Sequence, residues 1–368
     1  MKILIIAVFL AVIPGIKKRR GAPLPREFTQ AVCGICACLI MLSHTLYGYD
    51  VSYAWQNYPG QIFIMDQLVV APFLFISGWG VFMSIRKNPD YARAIPRKKI
   101  LPLYLRFALV NTCCVLLAAA LKIPLTAKQI VRSYCCLGTV LFGRLGSCSW
   151  FIGVMIILYL IVFYVYLVFR RKEIAALTAV SVLTVLVFVL LRVMKMPSPW
   201  WDTILVFPLG MWTARFSVPV GKALKKSAFF GAGSLLVLLL LLTLSELGYH
   251  RGKPWAFLPA PAFLCCALTV LSVYLRPKHP VFAYCGKRAL YLYLVQEPVL
   301  RILQQLEAGP LGHLRSALPF LFRADGRMNL YVYALIAIPM IFFTAELFAR
   351  LWDAVGKGLP WKKKENSA

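Results

Sequence analysis

Hydrophobic and polar positions alternate along this chain in long blocks. Apolar stretches of about 18 to 22 residues are separated by short basic or Pro/Gly-rich segments, and a bilayer core needs about 20 helical residues. Backbone groups in lipid must be satisfied within their own segment, so helices are the expected spans. The pattern predicts an all-α, polytopic transmembrane helix bundle with ten core spans. They lie at residues 31–49, 66–85, 100–121, 150–169, 174–191, 203–216, 228–246, 257–275, 281–300 and 328–352.

A shorter apolar block precedes these spans, at residues 3–16, and the basic run Lys17 to Arg20 follows it. A secretory signal carries its charge before the apolar region, so the block predicts a short membrane helix with its N-terminus outside. A start without fixed structure is the alternative. The predicted organisation is a short helix and basic linker at 1–25, a membrane domain at 26–354 and a basic cytoplasmic tail at 355–368.

Charge supports the membrane topology. The net charge is +28, yet only 15% of residues are charged and 61% are hydrophobic. Lysine and arginine lie in loops between apolar blocks, with no single basic face, so a nucleic-acid partner is not expected. When the chain is threaded with residues 17–26 inside, 27 of the 41 basic residues fall inside and 13 outside. This bias puts both ends of the ten-span unit in the cytoplasm.

His44 follows an apolar run and is a candidate for chemistry at membrane depth. It borders a stripe of mostly small residues at helical spacing, which we expect to face the bundle interior. The stripe comprises Gly34, Ala37, Cys38, Met41, Thr45 and Gly48. An imidazole titrates near neutral pH and can accept a proton from a hydroxyl. A structural histidine bonded to a neighbouring helix is the alternative.

Other polar residues stand out because ionisable groups are costly in a membrane. Arg106, Glu297 and Glu346 lie within predicted spans, and Asp66 opens one.

Two further segments have two readings each. Ser77, Gly78 and Gly80 interrupt an aromatic helix, either for close helix packing or for backbone approach to a thin ligand. Arg97, Lys98 and Lys99 form either an inside anchor or a phosphate site for a nucleotide-bearing cofactor.

Cysteines give no strong metal signal. Cys33, Cys36 and Cys38 form a C-x-x-C-x-C spacing in an apolar helix, without a second pair to close a four-ligand site, so packing is the expected role and no metal is predicted. Cys135, Cys136 and Cys148 fall in a predicted outer loop, where sequence cannot assign a disulfide.

Six segments, in this order, resemble the membrane acyltransferase 3 family of integral membrane carbohydrate O-acyltransferases. The resemblance covers residues 26 to about 350. The segments are REFTQAVCGICACLIMLSH ending at His44, FLFISGWG with Ser77 and Gly78, RKKILPLYLRF with Arg97, Lys99, Pro102 and Tyr104, SWFIGVMIILYL with Trp150, FPLGMWTARF with Gly210 and Met211, and CGKRALYLYLVQEPVL with Gly286, Tyr291, Tyr293, Leu294 and Pro298.

The resemblance implies transfer of an acyl group, in the first place acetyl, from cytosolic acyl-CoA to a hydroxyl of a cell-surface or exported glycan or its lipid-linked precursor. It implies a multi-pass protein of the cell membrane, with acyl-CoA as a substrate and no permanently bound cofactor. His44 is then the expected base or acyl carrier, and Arg106 and Tyr104 are candidates to stabilise the carbonyl oxygen. The expected donor contacts are Arg97, Lys98, Lys99, Ser77 and Gly78. The expected acceptor contacts are Asp66, Trp150, Tyr293, Gln296 and Glu297.

The chain also departs from the family pattern. Cys33 stands where an arginine is common, eleven residues before the histidine, Gln296 stands where histidine is common, and Lys99 replaces an arginine. A lipid or glycan transporter or flippase, and a non-catalytic member of the same fold, are the alternative functions. Two related halves with broken helices would favour a transporter, and the sequence shows none.

Overall fold

The structure is a computed structural model that describes residues 16–18, 22–49, 65–120, 124–137, 149–170, 172–277, 279–308, 319–322 and 327–357. Its helices are α1 (Arg26–Tyr49), α2 (Met65–Leu68), α3 (Ala71–Lys87), α4 (Tyr91–Ala120), α5 (Ala127–Tyr134), α6 (Ser149–Val168), α7 (Glu173–Val193), α8 (Val206–Arg215), α9 (Ser217–Lys226), α10 (Ala228–His250), α11 (Ala260–Tyr274), α12 (Pro280–Ala308) and α13 (Leu330–Lys357). Two short strands, β1 (Ile16–Lys18) and β2 (Leu275–Pro277), pair antiparallel.

The predicted all-α helix bundle is confirmed. Seven helices in the described part of the chain are long and apolar enough to cross a membrane, namely α1, α4, α6, α7, α10, α13 and the segment Trp255–Tyr274 that includes α11. The other three predicted spans coincide with the shorter or more polar helices α3, α8 and α12, so the count of ten stays a prediction. The predicted helix at 3–16 lies outside the described residues except for Ile16 in β1. The tail also lies outside them beyond Lys357.

Contacts divide the chain into two compact units. Unit 1 comprises Met1–Ile40, Trp55–Leu103 and Trp150–Lys287. Unit 2 comprises Met41–Ala54, Tyr104–Ser149 and Arg288–Ala368. Three long helices, α1, α4 and α12, are divided between the units, and α6 adds its first residue to unit 2, so the division does not follow the ends of the secondary-structure elements.

Glycines let the helices of unit 1 approach backbone to backbone. A Cβ on Gly78 of α3 would overlap the carbonyl oxygen of Phe207 in α8, and one on Gly210 of α8 would overlap that of Phe75. The same reciprocal arrangement joins α1 to α12, where Gly34 and Gly286 each face the opposite backbone. Small residues bring such helices together because lipid supplies no hydrophobic drive for their association. The predicted interior stripe is confirmed at Gly34 by this contact and at Ala37, Met41 and Thr45 by their burial, whereas the environment of Gly48 lies outside the description.

Segments that the charge bias puts inside lie together at one end of unit 1. Lys17 in β1 pairs with Arg276 in β2. At the same end, Arg170 bonds Asp90 at 3.3 Å, and Arg215 pairs with Glu173. The residues come from five chain segments that sequence threading puts on one side of the membrane. Their proximity in unit 1 therefore agrees with that threading.

Helix α4 contains a π-helical turn at Pro96–Ile100. Pro96 has no N–H to donate, and the Leu101 N–H bonds the Pro96 carbonyl five residues back. The helix therefore begins at Tyr91, before the predicted span at 100, and the turn carries Arg97, Lys98 and Lys99. Single π turns often occur at functional sites.

Within unit 2, helix α5 lies beside α4. The Tyr104 hydroxyl donates to the Tyr134 carbonyl at 3.2 Å, and the Thr112 and Tyr134 hydroxyls are 2.7 Å apart. Tyr104 and Thr112 are about 12 Å apart along a helix axis, so Tyr134 lies beside the membrane-spanning part of α4. The expectation of a plain outer loop between α4 and α6 is therefore wrong. The segment returns to the depth of the bundle through an amphipathic helix.

Candidate active site

His44 lies near the end of α1, in the part of that helix that belongs to unit 2. Met41 and Thr45, on the predicted interior stripe, are buried, and the Thr45 hydroxyl bonds the Met41 carbonyl at 2.8 Å. The imidazole itself is half-buried and makes polar or ring contacts within the protein. The position fits both a base and a structural histidine, as the sequence suggested.

Arg106 lies within the membrane-spanning part of α4, in unit 2. Its guanidinium carbon lies 5.2 Å from the ring centroid of Trp352 on α13, and the Tyr291 hydroxyl of α12 lies beside the same guanidinium. The ring face of Trp352 therefore attracts the cation, as a cation–π contact does. Arg106 thus belongs to a polar site built from three helices.

An ion-pair group continues this site. Arg288 of α12 bonds both carboxylate oxygens of Glu346 on α13, at 3.0 and 3.4 Å, and lies 4.0 Å from Asp353. Tyr291 is near enough to Arg288 and Asp353 to feel their charges, so the two groups are neighbours. We call the combined set the inner cluster, because the threading puts these ends of α12 and α13 on the cytoplasmic side. Its members are Arg106, Tyr291, Trp352, Arg288, Glu346 and Asp353.

A second polar set in unit 2 lies towards the other ends of α12 and α13. Gln296 is 1% exposed, Arg301 interacts with Glu297, and its guanidinium bonds Gln304 at 3.1 Å. The Tyr333 hydroxyl donates to a carbonyl of α12 at 3.4 Å. We call it the outer cluster, with members Gln296, Glu297, Arg301, Gln304 and Tyr333. The threading puts His44 on this side too.

Tyr104 is in unit 2, but its hydroxyl already donates to the Tyr134 carbonyl. Its ring packs against Phe107, with the centroids 6.2 Å apart. The structure thus gives Tyr104 a role in holding α5, while Tyr291 occupies the place beside Arg106.

The predicted donor contacts belong to unit 1. Arg97 and Lys98 are exposed on the π turn, and the Lys98 ammonium lies 5.8 Å from the centroid of the Tyr91 ring. The Ser77 and Tyr159 hydroxyls are 3.3 Å apart. The backbone of α8 occupies the open side of Gly78, and α3 continues through it without interruption, so the structure supports the packing alternative there.

Among the predicted acceptor contacts, Trp150 is in unit 1 and stacks edge-on against Phe151. Asp66 lies in α2, with its side chain outside the described residues. Tyr293, Gln296 and Glu297 are in unit 2. His44, Arg106 and the α12 residues thus belong to one unit, with Arg106 in the inner cluster and His44 on the side of the outer cluster.

Several site residues were missed from the sequence. Trp352 and Arg288 lie near helix ends, where aromatic and basic residues are ordinarily interface anchors, so composition does not single them out. Tyr291 belongs to a matched segment but carried no assigned role. The contacts that define these residues join helices far apart in the chain.

The cysteines contribute packing in the described part of the chain. Cys36 is buried, Cys38 hydrogen-bonds Cys285, and Cys135 and Cys136 are free thiols. Cys148 lies outside the described residues. Among the residues that the structure describes, no group of three or more His, Cys, Asp or Glu side chains could hold a metal ion.

Comparison with known proteins identifies the family. A family model described as an acyltransferase domain, that of the acyltransferase 3 family, matches residues 32–349. The chain belongs to this family. The match covers most of the chain and contains both clusters of unit 2 except Trp352 and Asp353. No curated protein and no solved structure matches the chain significantly.

Family membership settles the class of the protein. It is a multi-pass membrane enzyme that transfers acyl groups other than aminoacyl groups. A transporter is therefore not supported. Cys33, at the position where the family often has arginine, is half-buried on α1, with Cys36 close by.

Proposed function

We propose that this enzyme moves an acetyl group from acetyl-CoA to a hydroxyl of a cell-surface or exported glycan, or of its lipid-linked precursor, at the cell membrane. The observation that carries the proposal is the pair of polar clusters in unit 2. Buried polar side chains are costly in a membrane and mark functional sites there. Two such clusters, towards opposite helix ends, suit an enzyme that meets its donor on one side and its acceptor on the other.

The donor is assigned to the inner side. Arg97, Lys98 and Lys99 offer charge-assisted hydrogen bonds to the phosphates of coenzyme A from the π turn. Ser77 is the remaining proposed donor contact, and Gly78 supports its position through the packing of α3 against α8. Arg106 interacts with the acyl carbonyl oxygen, where negative charge develops during transfer.

The acceptor is assigned to the outer side, with contacts from Asp66, Trp150, Tyr293, Gln296 and Glu297. His44 accepts the proton of the attacking hydroxyl. A carbon–oxygen bond forms at the acyl carbon, the carbon–sulfur bond breaks, and coenzyme A leaves as a thiolate that takes up a proton. No metal and no permanently bound cofactor take part in this scheme.

The experiment is acyl transfer by the purified protein in membranes, with radiolabelled acetyl-CoA and a cell-envelope extract as acceptor. His44→Ala is compared with His250→Ala, a change at an exposed histidine on α10 in unit 1. We expect His44→Ala to lose about 100-fold or more in rate, as for loss of a general base, and His250→Ala to keep it.

Each result decides a separate part of the proposal. Equal labelling by the parent and His44→Ala makes His44 structural. Failure of the parent to use acetyl-CoA, while it transfers from another activated acyl compound, overturns the choice of donor. Label that enters lipid or protein instead of glycan overturns the choice of acceptor.

A further inference from the structure

Three hydrogen-bond donors in the inner cluster are buried without an acceptor. They are the Arg106 Nε–H, the Tyr291 O–H and the Trp352 indole N–H. The Tyr291 oxygen accepts from the Arg106 guanidinium, which leaves its own hydrogen to donate. Tyr291 is 6% exposed and Trp352 is 5% exposed. Bulk water therefore does not supply the acceptors that the protein lacks. Buried donors are ordinarily paired, and each exception calls for an explanation.

The three donors belong to one place in unit 2. The Trp352 ring lies against the Arg106 guanidinium, and the Tyr291 hydroxyl lies beside it. They come from α13, α4 and α12, so no short sequence motif would generate the arrangement. A single unpaired donor is easily a packing defect, whereas an unpaired Nε–H with two further unpaired donors beside its guanidinium is better explained by an acceptor that binds there.

The charge of the inner cluster restricts the kind of acceptor that can bind to these three donors. Arg288 is balanced by Glu346 and Asp353, whereas no carboxylate in the described part of the chain pairs with Arg106. The cluster therefore offers one uncompensated positive charge and two neutral donors. A pyrophosphate carries several negative charges and would also face the two carboxylates. A single oxygen that is neutral in the ground state and becomes negative during reaction fits better.

We propose that Arg106, Tyr291 and Trp352 together bind the acyl carbonyl oxygen of the thioester donor, an inference that rests on the proposed function. Tyr291 and Trp352 take the place that sequence reasoning gave to Tyr104. The Trp352 ring also holds the Arg106 guanidinium through its π face, whereas its N–H is available to the carbonyl oxygen. The two parts of this side chain can therefore be tested separately.

Two analogues of the donor isolate the carbonyl group. One replaces the thioester sulfur by a methylene and keeps the carbonyl, as a ketone. The other is the S-ethyl thioether of coenzyme A, which keeps the sulfur and lacks the carbonyl. Dissociation constants for both are measured with purified protein in detergent, without any acceptor, for the parent and for Tyr291→Phe and Trp352→Phe. Phenylalanine at 352 keeps a ring under the guanidinium and removes the N–H.

We expect each variant to bind the ketone about tenfold more weakly, the effect of one charge-neutral hydrogen bond, and to bind the thioether like the parent. Trp352→Leu, which also removes the ring, should weaken ketone binding further. Matched controls are Tyr331→Phe on α13 and Trp255→Phe, at side chains that are 72% and 68% exposed, and both should leave ketone binding unchanged.

The outcomes separate this inference from the proposed function. Equal losses for ketone and thioether would show that the site binds another part of coenzyme A and would overturn the inference. No loss for either analogue would also overturn it. If the parent binds neither analogue, coenzyme A is not the donor and the proposed function fails.

Thermal stability provides a second readout. Loss of a buried donor that has no acceptor removes a desolvation penalty, and Tyr291→Phe does so without changing the ring, so this variant should unfold at the same or a higher temperature than the parent. A marked fall in its melting temperature would mean that the hydroxyl donates within the protein, and the site would be structural.

Discussion

The two units of this enzyme use polar and small residues in opposite ways. Unit 1 brings helices together through glycines, with Gly78 and Gly210 facing the opposite backbone, and its ion pairs lie at one end with exposed side chains. Unit 2 keeps polar side chains within the length of its helices, where Arg106 and Gln296 are examples. The glycine contacts of unit 1 allow close packing between helices. The polar side chains of unit 2 cost free energy to bury within a membrane.

This difference indicates how the work is divided. Backbone-to-backbone contact tolerates little change and fixes helix positions, which suits a scaffold. Buried polar groups are the usual sites of ligand contact, which suits the chemistry. Changes in unit 1 should therefore act first on folding, and changes in unit 2 first on activity.

Gly78→Ala should cause the largest loss of stability. The new Cβ would overlap a backbone carbonyl of α8, which cannot move as a side chain can. We expect a loss at or above the roughly 1–3 kcal/mol that overpacking costs, measured as melting temperature and yield of monodisperse protein in detergent.

Gly80→Ala is the matched control for that change. It lies two residues away on the same helix, and a Cβ there meets nothing within 4 Å. Alanine favours a helix over glycine by about 1 kcal/mol, so this variant should be as stable as the parent or more stable. Equal losses at both positions would refute the scaffold role of the Gly78 contact.

Asp202 is one of two buried carboxyl residues in the described part of unit 1, with Glu246, and it offers a test by pH. This residue precedes α8, is 6% exposed, and has one carboxylate oxygen without a partner. Burial raises its pKa to about 8, against the opposing effect of the backbone N–H groups of Asp202 and Thr203.

The direction of the pH effect follows from proton binding. Between about pH 4 and pH 8 the folded protein holds a proton that the unfolded chain has lost, so stability falls as pH rises through this window, by up to about 1.4 kcal/mol per unit. Melting temperature measured from pH 5 to pH 8.5 should fall more steeply for the parent than for Asp202→Asn. Parallel curves would mean that Asp202 is ionised when folded.

Much of the fold was predictable from the sequence because membrane spans are local in sequence. Each of the ten apolar blocks needed only its own residues to be recognised, and each coincides with a helix. The π turn was missed because Pro96 lies before the apolar block. Helix α5 was missed because its residues are polar, although Thr126 and Gln129 form a capping box that marks a helix start.

The site was predictable only in part. His44 and Arg106 stand out singly as ionisable residues in apolar blocks, and the structure puts both in unit 2. Their neighbours do not stand out, because pairing of Arg106 with Trp352 depends on how α4 and α13 pack. Side-chain contacts between distant helices carry no local sequence signal.

Arg288→Met should destabilise unit 2 more than Arg350→Met. Both arginines bond Glu346, but their side chains are 26% and 78% exposed. We expect about 1–2 kcal/mol for the first, between the values for exposed and buried pairs, and less than about 0.5 kcal/mol for the second. Melting temperatures in detergent measure both, and equal effects would mean that solvent screens the two pairs alike.

Tyr104→Phe should have the smallest effect, confined to the segment that returns along α4. It removes the hydrogen bond to the Tyr134 carbonyl, worth about 1 kcal/mol, and so should raise the opened population of this segment about fivefold. The measurement is the rate at which a maleimide labels Cys136, which is 3% exposed, in a variant that retains only this cysteine. Thr112→Val, which removes the hydroxyl contact to the same Tyr134, is the companion variant. If labelling is unchanged in both, these contacts do not hold α5 in place, and Tyr104 becomes free to act at the donor carbonyl as the sequence first suggested.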